Sequence, residues 1–279
     1  MRVYSVSCRF LIAISIASLV GGGAARADVS VTSCGTTVPA GETGVLVGDL
    51  SCSIAPAIII QKRAALDLSG YTLTVTGPGA GDAIVCADGK CTIASSAAGG
   101  RLVASEVDSV VAHTLSGRGK VLLQNLDVDI SPPESALAGV RAVGRVRIDA
   151  KSVGVSGASG HGIVGPRVRV TDVTLTDNWV GIAVSGRITG AGLTTTGGGY
   201  GVAGGAVYLV DSEAHGAVYN GIQGERVRLV DSEVTGNNLG GVAADVGSLT
   251  LPKLINTVCG TSQVLEAPPG TSWGVCQND

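Results

Sequence analysis

A glycine-led dipeptide recurs through the middle of this chain at an almost fixed step, and few architectures can satisfy it. Gly-Ile or Gly-Val stands at Gly139-Val140, Gly162-Ile163, Gly181-Ile182, Gly201-Val202, Gly221-Ile222 and Gly241-Val242, with the last four steps 19, 20, 20 and 20 residues. A period of that length is the mark of a stacked repeat. A second element follows: apolar, any, apolar, any, small or Asp/Asn, two more, apolar. It reads Val121-Leu123-Asn125-Val128, Val146-Ile148-Ala150-Val153, Val168-Val170-Asp172-Leu175, Val207-Leu209-Asp211-Ala214 and Val227-Leu229-Asp231-Val234, and earlier Leu66-Leu68-Gly70-Leu73. Residues 181–200 fit poorly, with Arg187 to Thr195 out of register by about a residue. Alternation of period two means strands, and β-branched residues fill the inward slots. Each repeat therefore holds three short strands parted by Gly, Asp, Asn and Ser turns. Successive repeats must stack parallel, about 4.8 Å apart, around a narrow apolar interior. No helical stripe persists, and the spaced Leu pattern of leucine-rich repeats is absent.

The composition suits this solenoid. Hydrophobic residues make up 45% of 279, too many for a disordered chain, and 43 Gly occur without the Gly-X-Y period of collagen. Aromatics at 3% argue against a sugar-binding module built on many stacking rings. Residues 1–27 read as a secretory signal peptide: Arg2 and Arg9 lead an apolar run from Phe10 to Val20, and Ala25-Arg26-Ala27 supplies the cleavage site before Asp28. That run is too short to span a bilayer. The expected mature protein is one domain, residues 28–279, secreted or periplasmic. Loss of three Arg moves its formal charge from −3 to −6.

Six cysteines then lie in an oxidising compartment. They allow 15 connectivities, and proximity favours Cys34–Cys52, Cys86–Cys91 and Cys259–Cys276. With none in the 167 residues between Cys91 and Cys259, the ends look stapled and the middle self-sufficient. No CxxC spacing or adjacent His supports zinc.

Leu66-Asp67-Leu68-Ser69-Gly70-Tyr71-Thr72-Leu73 resembles the D-L-x-G-x-T coil that opens many exported right-handed β-helix repeat proteins. The stretch from Cys34 to Leu50-Ser51-Cys52 is similar to their N-terminal region. The resemblance covers roughly residues 32–260 and implies the pectin-lyase-like superfamily, which includes polysaccharide lyases, hydrolases, epimerases and non-catalytic surface proteins. The expected fold is thus all-β, a single-stranded right-handed parallel β-helix of about ten coils. Such motifs report fold far more than chemistry.

Four features bear on function. Gly160-His161-Gly162 is similar to the Gly-His-Gly of polygalacturonases, which also need paired acids to protonate the leaving oxygen and activate water. Asn125-Leu126-Asp127 mimics one such element, but no Asp-Asp pair exists, Arg187-Ile188-Thr189 lacks the Lys of their Arg-Ile-Lys, and Gly162-Ile163 is also the recurring coil-start dipeptide. His161 is therefore a weak catalytic candidate. Asp211-Ser212-Glu213 and Asp231-Ser232-Glu233 lie 20 residues apart, so adjacent coils bring four carboxylates into a patch about 5–7 Å across. That patch would suit Ca²⁺, the one ion with a case here, although Asp and Asn in that slot also serve as turn caps; no other cofactor is expected.

The third feature is a row of cations in outward slots of the second strand: Lys120, Arg145, Arg147, Arg167, Arg169, Arg187, Arg226 and Arg228. No acid stands in those slots, although acids outnumber bases overall. Outward polar residues discourage edge pairing, yet that explains neither the single sign nor the tolerance of like-charge repulsion. Last, Trp179, Tyr200 and Tyr219 fall one or two residues before consecutive coil starts, so they form a column able to stack sugar rings or to fill turn corners.

A net acidic chain without a stacking platform is a poor nucleic-acid binder, no membrane span is present, and no Gly-x-Ser-x-Gly elbow offers a nucleophile. The leading expectation is binding of an anionic polysaccharide by bidentate Arg forks without turnover. Were the chain an enzyme, it would be a polysaccharide lyase, hydrolase or epimerase, the Ca²⁺-dependent lyase or epimerase being the main rival. A structural envelope or adhesin-like spacer is the third class.

Overall fold

The computed structural model describes residues 28–77, 81–113, 118–131, 136–268 and 270–276; the signal-peptide reading of 1–27 lies outside them. All regular structure among the described residues is β: 24 strands join in one sheet, and every pairing is parallel. The sheet winds into a nearly closed solenoid whose strands fall into three ladders. The first runs from Asp28–Val31 through segments 145–151, 167–171, 187–191 and 206–210 to Lys253–Ile255. The second carries segments 126–130, 153–156, 173–176 and 193–196 on to Glu233–Thr235. The third includes Ala136–Ala142 and segments 161–164, 180–184, 200–204 and 222–224. These are the three strands per repeat that the alternation calls for.

Inward residues stack on their own kind. Val121, Ile148, Val168, Ile188, Val207 and Val227 are successive partners in the first ladder, and each is buried. A long, thin core results, in which each coil is stabilised mainly by its two neighbours.

One residue per coil turns the chain from the first ladder into the second, and it does so with a left-handed backbone. Asn125, Ser152, Asp172, Asp211, Asp231 and Asn256 have φ between 47° and 54° there, and Gly192 has 66°. This conformation disfavours residues with a Cβ by about 1–2 kcal/mol, least so Asn and Asp, whose side chains bond locally. The Asp/Asn/small slot of the repeat is that corner.

Two register details differ from the sequence alignment or sharpen it. Aligning Val146 with Val121 and Val168 is off by two: Ile148 pairs with Val121 and Val168, and Ser152, not Ala150, takes the corner. Val146, Ile148 and Ala150 are all inward, so alternation alone leaves a two-residue slip open. The misfit of 181–200 is a β-bulge. Pairing steps from Gly165 to Arg167 against Val184 to Arg187, which leaves one extra residue on the latter strand.

The disulfides are Cys34–Cys52, Cys86–Cys91 and Cys259–Cys276. No helix among the described residues is long and apolar enough to cross a membrane.

Candidate functional site: a cationic face

The first ladder carries the arginines outward in two adjacent columns. One runs Lys90, Lys120, Arg147, Arg167, Arg187, Ala206, Arg226. The other runs Leu122, Asp149, Arg169, Thr189, Tyr208, Arg228, Lys253. Arg145 lies at the margin beside Arg118. Neighbours in a column are one strand spacing apart, about 4.8 Å. Arg145, Arg147, Arg167, Arg169, Arg187, Arg226 and Arg228 are exposed. Arg147, Arg167, Arg169 and Arg187 surround a depression of about 370 Å³ floored by Val168 and Gly190, with Thr189 at its side.

The face is not purely cationic, which corrects the expectation of an acid-free row. Asp149 stands on it and pairs with Lys120 Nζ at 2.6 Å and with Arg147 Nε at 2.7 Å. The two-residue register slip conceals it, because Asp149 holds the slot that Arg169 fills on the next rung. Among the described residues, Arg145, Arg167, Arg169, Arg187, Arg226 and Arg228 form no ion pair. The Arg187 guanidinium instead lies 5.3 Å from the ring centroid of Tyr208, an attraction that orients it. Sequence reading missed Asp149, Tyr208, Lys151 and Lys253; the outward parity of their strands was the signal available for all four.

Trp179, Tyr200 and Tyr219 do come together, at the corner between the second and third ladders, which the cationic face does not adjoin. Tyr200 and Tyr219 stack at 4.9 Å and 21°, and Trp179 meets Tyr219 edge to face at 6.0 Å. A Cβ on Gly199 would lie 3.0 Å from the indole, so glycine there lets the Trp179 ring settle over the backbone. The corner is fastened from inside by Asn178, whose Oδ1 accepts the Ala158 N–H at 3.1 Å while its Nδ2 donates to the Val155 carbonyl at 2.9 Å. Asn237 repeats the clasp on Ala217 and Ala214.

His161 opens a third-ladder strand beside Val180, half-buried, and desolvation holds its pKa below the usual 6.5. No carboxylate pairs with it among the described residues. Nor do the four carboxylates of the repeated Asp-Ser-Glu converge: no group of three or more His, Cys, Asp or Glu among the described residues is arranged to hold a metal ion. Asp211 and Asp231 are corner residues, whereas Glu213 and Glu233 are partners on the second ladder. Asp231 accepts Asn256 Nδ2 at 3.0 Å, and Glu233 accepts the Thr235 hydroxyl at 3.0 Å. Ser212 and Ser232 between them point inward, each hydroxyl donating to a strand carbonyl at 2.8 Å.

Guanidinium donors in a row are equipped to hold carboxylate or sulfate groups. Comparison of the chain with family models, with curated proteins and with solved structures finds no match.

Proposed function

We propose that this chain is an exported β-helix protein of the pectin-lyase-like kind, right-handed and of about ten coils, that binds an anionic polysaccharide along its cationic face without turning it over. Right-handed winding is what parallel strand–crossover–strand connections adopt almost without exception. The observation that carries the functional reading is that Arg167, Arg169, Arg226 and Arg228, all exposed on one face of a protein whose formal charge is negative, form no ion pair among the described residues. Acids outnumber bases here 22 to 19, so a face held by arginines of one sign runs against the balance of the whole chain. A polyanion lying along the solenoid axis would meet one or two cations on the rungs of Arg167, Arg187 and Arg226 and none on the rung of Ala206 and Tyr208, each Arg able to grip a uronate with two parallel hydrogen bonds. The rigid ladder places those cations before the ligand arrives, which lowers the ordering cost of binding.

The test is a glycan array and uronan panel probed with residues 28–279, reading binding and new ultraviolet absorbance together, with and without Ca²⁺. The expected outcome is binding without absorbance, weakened at least tenfold by Arg167→Ala with Arg169→Ala and again by Arg226→Ala with Arg228→Ala. Affinity that survives both pairs, or Ca²⁺-dependent unsaturated product, overturns the proposal.

A further inference from the structure

We infer that Asp149 acts as a built-in counterion that ends the polyanion site, so that a ligand is held from Arg167 onward and not along the whole cationic row; this rests on the polyanion-binding reading above. Along first-ladder segments 118–124, 145–151, 167–171, 187–191, 206–210, 226–230 and 253–255, Asp149 is the one acidic residue. Its Oδ2 accepts a hydrogen bond from Arg147 Nη2 at 3.1 Å and lies 2.6 Å from Lys120 Nζ, while its Oδ1 sits 2.7 Å from Arg147 Nε as an ion-pair contact. One acid thus neutralises two cations, at the place where a ligand carboxylate would otherwise sit.

The neighbouring rung sharpens the boundary. Asp149 and Arg169 are direct register partners, so this column changes sign across a single strand spacing. An anion bound at Arg169 that advanced one rung further would meet a fixed carboxylate whose side chain is only 15% exposed and hence weakly screened. The carboxylate also answers a structural need. Lys120, Arg147 and Arg167 are consecutive partners, and three like charges at that spacing repel. Fold stability and site length are thus set by the same side chain.

The experiment compares native protein with D149N, nearly the same shape without the charge, for binding of long-chain polygalacturonate across a salt series. The expected result is binding tightened about tenfold at low salt in D149N. The slope of log affinity against log salt should steepen by about two, because Lys120 and Arg147 now release ligand counterions. A second variant guards against a folding defect: adding Lys120→Ala and Arg147→Ala to D149N removes the two cations that the substitution frees, and should bring affinity and slope back to within about twofold of native, whereas Arg167→Ala with Arg169→Ala in the native background weakens binding at least tenfold. Native binding with an unchanged D149N slope, or a D149N gain that survives loss of Lys120 and Arg147, overturns the role of Asp149 and leaves the polyanion reading standing. Absent native binding with D149N binding supports Asp149 as a block and corrects the reading of the native face; no binding by either overturns both.

Discussion

Replacing Asn178 with alanine strikes the fastening of the aromatic corner without touching an aromatic ring. Asn178 is 2% exposed, and its two side-chain bonds satisfy the N–H of Ala158 and the carbonyl of Val155, each also 2% exposed. Alanine keeps neither bond and orphans both backbone groups where bulk water cannot reach. Each orphan costs about 1–3 kcal/mol, and the small void left by the amide adds to that, so the expected loss is about 3 kcal/mol. For a chain of this size that lowers Tm by about 6–12 °C. The assay is urea unfolding followed by far-ultraviolet circular dichroism, with unchanged m taken as evidence that the same unit unfolds. Thr176→Ala, two residues earlier and without a side-chain hydrogen bond among the described residues, is the control and should shift stability by less than about 0.5 kcal/mol. Asn178→Asp should not rescue, since it keeps the acceptor for Ala158 but sets a carboxylate oxygen against the Val155 carbonyl. A loss under about 1 kcal/mol for Asn178→Ala, or native stability in Asn178→Asp, would refute the claim that this clasp holds the corner.

The corner residues and His161 give two further expectations. Asp172→Val places a β-branched side chain at φ 52° and should destabilise by about 1–2 kcal/mol, while Asp172→Gly stays within about 1 kcal/mol of native; comparing their urea midpoints checks this. Burial holds the His161 pKa below 6.5, so the unfolded chain binds the proton first as pH falls. Stability contributed by neutral His161 is therefore intact above about pH 6.5 and declines as pH drops toward the lowered folded value, and His161→Gln should remove that segment of the Tm–pH curve between pH 8 and 5.

The solenoid was legible in the sequence because its cause is local. Val207-Leu209-Asp211 and Val227-Leu229-Asp231 repeat both the inward alternation and the corner that ends it. Register was legible only modulo two: Val146, Ile148 and Ala150 satisfy the inward rule equally, and the error hid Asp149 among cations. Asn178 escaped for a different reason. Asparagine between Asp177 and Trp179 has the composition of a wet turn, and only the stacked coil reveals that its partners lie 20 and 23 residues back. The arginines and the aromatic column are both candidate ligand contacts in the sequence, yet the fold sets the rings at the corner between the second and third ladders, away from the cationic face. The repeated Asp-Ser-Glu sets its Asp at a corner and its Glu on a strand, a division that the 20-residue spacing alone does not show.

The left-handed corner has a consequence for how this surface can change in length. Because each coil closes through the same bend at the same residue, a whole coil can be spliced in or out while every remaining side chain keeps its inward or outward sense. A single-residue insertion inside a strand cannot do this without a bulge like the one at 185–186. The molecule is in effect a ruler graduated in steps of one strand spacing, about 4.8 Å. Copying a coil such as 161–179 would lengthen the charged edge by one graduation and two arginines, leaving every other mark where it was.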